Sequence, residues 1–325
     1  MVFVSVIIPT YNYANFICAA INSVLEQDYA GGVEIIIVDD GSTDNTFDIL
    51  TPFINDGKVK YFFQRNSGKA SATNFAIQQS IGKYIFNLDA DDIFLPNKIK
   101  TSVAIFESDN TIVHVASPAK IMYQNSGLFE IEKIPKEIIN KPIDGGWLLH
   151  YFYSANILFG GGTTYSARAS VLKNIIIPDA VDMYIDEFLI VAILPFGKSY
   201  IIPEPLSIWR VHANNYSVGQ STNEHKIYKA QRLLKSSNAM LSYLNNNNYS
   251  ADILKIYRLK NLTEKLTMQE NQNKKSVGNI LQYAFKTFFI LQPNWEQIKK
   301  YHVINRLIPS SLFKILKYYF KKATL

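Results

Sequence analysis

The sequence predicts an α/β protein, a doubly wound and mainly parallel sheet followed by a basic helical C-terminal region. Three observations lead there. Short apolar runs alternate with helical patterns through roughly the first hundred residues. Polar and acidic clusters fall where the strands of such a sheet would end. The charge is split, with 15 Lys/Arg against 22 Asp/Glu in residues 1–222 and 18 against 5 in residues 223–325.

Residues 4–8, 34–38, 59–63 and 83–88 are compact and rich in β-branched or aromatic side chains, the composition of buried strands. Between them, 15–28 places Ile17, Ile21, Val24 and Leu25 on one helical face, and 69–80 does so more weakly with Ala72, Phe75, Ala76 and Gln79. A third helix starts at Pro96, a good first-turn residue, and continues through Ile99, Val103 and Phe106. Strand and helix alternating in this way imply parallel neighbours joined by right-handed crossovers. From about 110 to 222 the pattern is less regular, with a glycine run at 160–162, a helix at 185–194 and a strand-like 199–203. It reads as the second half of the same domain, which makes 1–222 one unit. Beyond 223 the chain turns helical and basic, with Lys226, Lys229, Arg232 and Lys235 on one face and a loop expected over 245–248.

A chain of 325 residues, 48% hydrophobic and carrying 20 Tyr and 20 Phe, can bury a full core and is not disordered. Its single cysteine, Cys18, excludes an intramolecular disulfide and suits a reducing compartment. The N-terminus lacks a basic leader and a small-residue cleavage site, so it reads as a first strand, and the cytoplasm is the expected location. No apolar run reaches the roughly 18 residues of a spanning helix, since 188–194 stops at Pro195. The net charges of −7 on the body and +13 on the tail point to an anionic partner for the tail, a membrane surface or nucleic acid, against the plainer alternative of a solvated basic face.

In an open α/β sheet, ligands bind beyond the carboxyl ends of the strands, where loop amides and helix N-termini converge. The first strand ends in Pro9, Thr10, Tyr11 and Asn12, the second in Asp39-Asp40-Gly41-Ser42-Thr43-Asp44, and the fourth in Asp89-Ala90-Asp91-Asp92. Three loops would line one crevice. Three carboxylates in four residues after a buried strand repel one another unless a cation or several donors compensate. Hard divalent ions, Mg²⁺ or Mn²⁺, suit such oxygens and leave positions for substrate phosphates; the alternative is an aspartate-rich turn capping the helix at Pro96. At 39–40, one aspartate serves a turn and cap, while a free carboxylate at Asp40 would accept hydrogen bonds from a nucleobase or a ribose. Gly-x-Gly-x-x-Gly, Walker-type, His-Glu-x-x-His, Cys-x-x-Cys and Gly-x-Ser-x-Gly patterns are all absent, which weighs against dehydrogenases, NTPases, zinc proteases, zinc ribbons and α/β-hydrolases.

Ser5-Val-Ile-Ile-Pro-Thr-Tyr-Asn12, Ile37-Val-Asp-Asp-Gly-Ser-Thr-Asp44 and Leu88-Asp-Ala-Asp-Asp92 resemble successive hallmarks of glycosyltransferase family 2. The resemblance continues in Pro203-Glu-Pro-Leu206 and Trp209-Arg-Val-His-Ala-Asn-Asn-Tyr-Ser217 and covers roughly 3–218. It implies a GT-A fold and transfer of a sugar from a nucleotide-sugar donor, UDP first among them, with inversion at the anomeric carbon. By resemblance Asp91 is the metal ligand, Asp89 lies by the ribose or the metal, and Asp92 has the weaker claim. Asp186, eleven residues before Gly197, takes the place of the general base, with Glu187 as the alternative. The chain departs from the family at Ile185, where an acidic residue is common, and at Thr73, where many relatives carry Arg; Lys69 would supply that positive charge. Arg210 would neutralise phosphate and His212 would approach the metal. Thr10, Tyr11 and Asn12 complete the donor set.

In the tail, residues 310–322 put Lys314, Lys317 and Lys321 on one helical face and Leu312, Ile315, Leu316 and Tyr319 largely on another. That is the form of an interfacial helix, so the expected partner is the cytoplasmic leaflet, where a glycan or lipid-linked acceptor would be met, and no nucleic acid; a helix packed on the domain is the alternative. Two other readings of the chain are a nucleotidyltransferase, which would show a glycine-rich basic loop after the first strand, and a non-catalytic scaffold, which would not need Asp89, Asp91 and Asp186 together.

Overall fold

The computed structural model describes residues 1–155, 157, 159–213, 215, 222–272 and 277–291. The first half runs β1 (Val4–Thr10), α1 (Ala14–Leu25), β2 (Val33–Asp39), α2 (Thr46–Asn55), β3 (Lys60–Phe63), α3 (Lys69–Gln79) and β4 (Tyr84–Asn87). These are the four strands read from the sequence, with boundaries shifted by at most two residues. The two-residue β5 (Ile93–Phe94) then precedes α4 (Lys98–Ser108), which begins two residues after Pro96. Next come β6 (Ile112–Ala116), β7 (Ala119–Tyr123), β8 (Leu128–Ile131), β9 (Pro142–Asp144) and α5 (Gly145–Ala155). The later part of the sheet region holds β10 (Tyr165–Arg168), α6 (Ala169–Leu172), α7 (Ile185–Ile193), β11 (Lys198–Ile201) and β12 (Ser207–Val211).

The main sheet has the order β3-β2-β1-β4-β10-β6-β11-β9. The pairs β1/β2, β1/β4, β2/β3 and β6/β11 are parallel, while β10 and β9 run against their neighbours. The sheet is therefore mainly parallel, and the segment after 110 extends it. Alternation decides the faces. Val4, Val6 and Ile8 with Ile35 and Ile37 join Ile17, Ile21 and Val24 of α1 and Ile99, Val103 and Phe106 of α4 in one core. Helix α3 covers strands β1 and β2 with Ala72, Thr73 and Ala76 buried. Three expected face residues turn out instead, Leu25 and Phe75, 44% and 40% exposed, and Gln79; Leu25 and Gln79 are the last residues of α1 and α3, and Phe75 lies against Phe62 of β3 with ring centroids 5.1 Å apart.

A second sheet, β5-β12-β7-β8, stands beside the first. β12 runs antiparallel to β5, with Ser207 opposite Phe94 and Ile208 opposite Ile93. That register carries the residues after Ile208 back along the acidic loop that precedes β5.

At the amino ends of the central strands, a buried carboxylate ties four segments together. Glu34 of β2 accepts from Ser5 of β1, from the Ile81 amide before β4 at 2.6 Å, and from Lys60 of β3 at 2.6 Å. The Gly82 amide in turn donates to Ser5 Oγ at 2.8 Å.

By contacts the chain divides into two compact units, Met1–Leu149 with Leu158–Gln220, and His150–Ile157 with Ser221–Leu325. In the second, α8 (Asn223–Asn246) and α9 (Ala251–Asn271) pack together and α10 (Val277–Leu291) packs on α9. Leu259, Leu266 and Tyr283 form its described core with Tyr153, Leu262 and Ile290 against them. The helix α8 runs into the asparagine tract as far as Asn246, and Ser250 caps α9 by accepting from the Ile253 amide. No helix among the described residues is long and apolar enough to cross a membrane. The interfacial helix expected at 310–322 lies outside the described residues.

Burial works against ionised Glu34, and the donors Ile81, Lys60 and Ser5 outweigh it and lower its pKa. Its contribution is complete above the unfolded carboxyl value of about 4.3 and is lost as pH falls through the lower folded value. Glu34→Gln is expected to cost about 1–3 kcal/mol, read as a lower urea midpoint at unchanged slope, with less pH dependence of that midpoint below about pH 5. A midpoint equal to wild type would contradict the clamp.

Candidate active site

The crevice forms where β1, β2 and β4 end. Asn12, in a left-handed conformation (φ 57), binds the first two loops together. Its amide donates to Ser42 Oγ at 2.9 Å and its Oδ1 accepts from the Thr43 amide at 2.7 Å. Asp44 accepts from the Ala14 amide at 3.1 Å and so serves the start of α1 across the crevice. Thr10 is buried with no partner for its hydroxyl among the described residues, and Tyr11 is exposed beside it.

Asp39 and Asp40 have separated. Asp39 serves its own turn, accepting from the Ser42 amide at 2.8 Å and from the Tyr61 hydroxyl at 3.0 Å. Asp40 is not the free carboxylate of the sequence reading. It is buried and accepts from Gln64 Nε2 at 2.7 Å and from the Ser67 and Gly68 amides, each at 2.8 Å. A carboxylate has about four acceptor positions, so one is left for a ligand. Its main visible effect is to hold the 64–68 turn that launches α3 and so places Lys69. Lys69 Nζ reaches Asp89 Oδ1 at 2.9 Å.

The acidic loop is built from both sheets. Asp89, Asp91 and Asp92 offer carboxylate oxygens within 4.8 Å of one another. Asp92 is committed inward, with one oxygen taken by Thr163 Oγ1 and the other by the Arg210 amide at 3.0 Å. Asp91 Oδ2 faces His212 Nε2 at 3.1 Å and Asn215 Nδ2 at 3.0 Å. The His212 ring is stacked on Phe16, with centroids 4.2 Å apart. Arg210 does not face the crevice as a phosphate ligand would. Its Nε binds the Asp91 carbonyl, another nitrogen donates to the Phe16 carbonyl at 3.3 Å, and its guanidinium lies 5.1 Å from the Phe16 ring centre. The β5/β12 pairing explains why. It lays Arg210 along the back of the aspartates, where it braces the loop.

The carboxyl pKa values of Asp91 and Asp92 are raised, first by burial and then by the neighbouring aspartates. The chain thus provides less positive charge here than the loop's negative charge demands. A hard cation fits this oxygen-rich set. Two ligand atoms about 2.1 Å from one ion and at right angles to each other lie about 3 Å apart, close to the spacing of Asp91 Oδ2 and His212 Nε2.

Asp186 sits in the first turn of α7, after Tyr184 in a left-handed conformation (φ 58). The Gly162 amide donates to its carboxylate. A Cβ at Gly162 would stand 3.5 Å from Asp186 Oδ2 and 3.6 Å from Asp89 Oδ2, so the two carboxylates meet across this glycine. Burial raises the Asp186 pKa, Asp89 adds to the rise and Lys69 opposes it. Glu187, the alternative base, is buried in α7.

Several residues here were not assigned a role from sequence. Thr163 Oγ1 accepts from the Asp89 amide at 3.1 Å while donating to Asp92, so it clamps the acidic loop. Lys98 is fully buried, donates to the Thr164 carbonyl at 3.0 Å, and is driven down to about 7 by burial. His114 is driven down to about 4 by burial; with Gly160 O accepting from Nε2 at 3.0 Å, its Nδ1 accepts from Ser199 Oγ at 2.8 Å. Only the glycine run at 160–162 marked this segment, 160–164, in the sequence, since a lone lysine on a helix reads as a surface residue.

A mainly parallel sheet carrying an acidic loop at the end of its fourth strand, with the Asp186 carboxylate near that loop, is the layout of the GT-A fold. Residues 5–163 match the profile of Glycosyl transferase family 2. An uncharacterised glycosyltransferase of Nostoc sp. is 31% identical over 250 residues, 74% of each chain. The chain belongs to glycosyltransferase family 2, which sets the nucleotidyltransferase reading aside. Several Rickettsia glycosyltransferases are longer, and the chain aligns to about a quarter of their length. Among solved structures, residues 1–349 of S. aureus TarS, in complex with UDP-GlcNAc, share the fold at a TM-score of 0.57 and 17% identity, covering 93% of this chain and 89% of that one. The mannosyltransferase PcManGT from Pyrobaculum calidifontis, in complex with GDP-Man and Mn²⁺, does so at 0.55 and 19%, covering 94% and 84%.

Proposed function

We propose that the chain is an inverting transferase that moves a sugar from a nucleoside-diphosphate donor, UDP-linked first among them, to a hydroxyl of a glycan or lipid-linked acceptor in polysaccharide synthesis. The observation that carries this reading is the meeting of Asp186 and Asp89 across Gly162, with Asp91 and His212 beyond. An inverting displacement needs such an arrangement, a base on one side of the anomeric carbon and leaving-group stabilisation on the other. The nucleotide-sugar ligands of TarS and PcManGT, and the Mn²⁺ of the latter, support it.

Asp91 and His212 would hold Mn²⁺ or Mg²⁺, with Asp89 beside it. The bound ion would supply Lewis-acid stabilisation of the diphosphate oxygens. Thr10, with its unpartnered hydroxyl, Tyr11, Asn12 and the remaining acceptor position of Asp40 would form the nucleoside end. Lys69 adds a positive charge between donor and base. Asp186 orients the acceptor hydroxyl and takes its proton as the new carbon–oxygen bond forms. The bond from the anomeric carbon to the phosphate oxygen breaks, and its electron pair leaves with the diphosphate. Arg210, Asp92 and Thr163 keep the loop in shape.

The basic tail supports peripheral attachment at the inner face of the cytoplasmic membrane. Removing residues 305–325 is expected to shift the protein from the membrane pellet to the supernatant; unchanged sedimentation would remove this part of the reading.

With a nucleotide-sugar donor and its acceptor, Asp186→Asn is expected to lower kcat by about 10²–10⁴-fold while leaving the donor KM within about twofold, measured by nucleotide release. Turnover close to wild type would overturn the assignment of the base.

A further inference from the structure

Lys98 takes no part in the chemistry above, and its burial asks for a reason. It opens α4 and is 1% exposed. Lysine is almost never fully buried unless it is paired. Among the described residues Lys98 forms no ion pair, and the one acceptor of its ammonium is the Thr164 carbonyl at 3.0 Å, with the centre of the Phe94 ring 5.1 Å away. An apolar side chain of similar length would fill the same space without desolvating a charge. Packing therefore does not account for a lysine here.

The residue it touches does. Thr164 ends the segment 160–164, a strap that leads from three consecutive glycines into β10. Gly160 and Gly162 take left-handed angles, φ 84 and 56, and such a run has little stiffness of its own. The strap is held by its carbonyls instead. His114 of β6 donates to Gly160 O at 3.0 Å, Ser207 of β12 to Thr163 O at 3.0 Å, and Lys98 to Thr164 O. Peptide units are rigid planes, so the last two contacts fix both of the planes that follow the Thr163 side chain. That side chain is the grip on the acidic loop, since its hydroxyl accepts from the Asp89 amide at 3.1 Å and donates to Asp92. Of the three donors only Lys98 comes from a helix, the one that follows the acidic loop in the chain.

We propose that Lys98 is a positioning residue for the metal-side loop: through the Thr164 carbonyl it sets Thr163, and through Thr163 the placing of Asp89 and Asp92 on either side of Asp91. This rests on the transferase reading above. The lysine touches neither donor nor cation. Its effect is on how closely three mutually repelling carboxylates are held before either one binds. The Thr164 carbonyl also accepts from the Ser117 amide at 3.3 Å, so loss of the lysine leaves that carbonyl partnered and the fold intact.

The test measures Mn²⁺ affinity in the presence of UDP, by electron paramagnetic resonance of the free ion, on wild type, Lys98→Met, Thr163→Val and the double variant, with a urea midpoint for each. Lys98→Met keeps the length of the side chain and removes the donor. It is expected to weaken Mn²⁺ binding about tenfold, the lower end of what outer partners of a metal site contribute. Its urea midpoint is expected to equal or exceed that of wild type, because a desolvated amine is gone. Thr163→Val is expected to weaken Mn²⁺ at least as much. Both residues act along one route, so the double variant is expected within about twofold of Thr163→Val, where independent effects would multiply. If Lys98→Met does not fold, Lys98→Gln, whose amide nitrogen falls one atom short of the carbonyl, takes its place with the same expectation. Mn²⁺ affinity equal to wild type, a loss accompanied by a lowered midpoint, or full multiplication in the double variant overturns the assignment of Lys98 and leaves the transferase reading intact. Failure of wild type to bind UDP and Mn²⁺ overturns both.

Discussion

Three aspartates within four residues, two of them buried, are the constraint on which the rest of the site depends. Burial and mutual repulsion push the carboxyls of Asp91 and Asp92 above their ordinary range, so a loop of this composition holds its shape only when outside groups secure it. The fold supplies them from distant parts of the chain. Arg210 arrives on β12 and His212 directly after it, Thr163 on the segment before β10, and Lys69 at the start of α3. Thr163 and the Arg210 amide take the two oxygens of Asp92, His212 faces Asp91, and Lys69 pairs with Asp89.

The two sheets divide this labour. The parallel strands β1, β2 and β4 bring three loops to one edge, as their order requires. The antiparallel β10 inserts beside β4 and delivers the glycine strap next to the acidic loop. The small sheet exists locally because β5 leaves that loop and needs a partner, and β12 is the partner that also carries Arg210 and leads into His212. Asp186 and Asp89 therefore meet across Gly162 without either lying on a long free loop.

Much of this was legible in the sequence. The apolar runs at 4–8, 34–38, 59–63 and 83–88 gave the parallel strands, because fully buried strands are apolar throughout and leave their polar residues at their ends. The clusters at 10–12, 39–44 and 89–92, with Asp186, do gather at one crevice. What was not legible depended on partners far along the chain. The inward commitment of Asp40 arises from Gln64, Ser67 and Gly68, which carry no motif. Arg210 reads as a phosphate ligand until a two-residue strand, too short to show periodicity, turns it onto the Asp91 carbonyl. Lys98 has the spacing of a surface helix residue and is buried because the Thr164 carbonyl lies beneath it.

The proposed chemistry turns on a divalent cation held at Asp91. Crystals grown with UDP and Mn²⁺, with diffraction recorded at the manganese edge, test it most directly. One anomalous peak about 2 Å from an Asp91 carboxylate oxygen is the expected result. Bound nucleotide with no peak at Asp91, or a peak held by other residues, would contradict it.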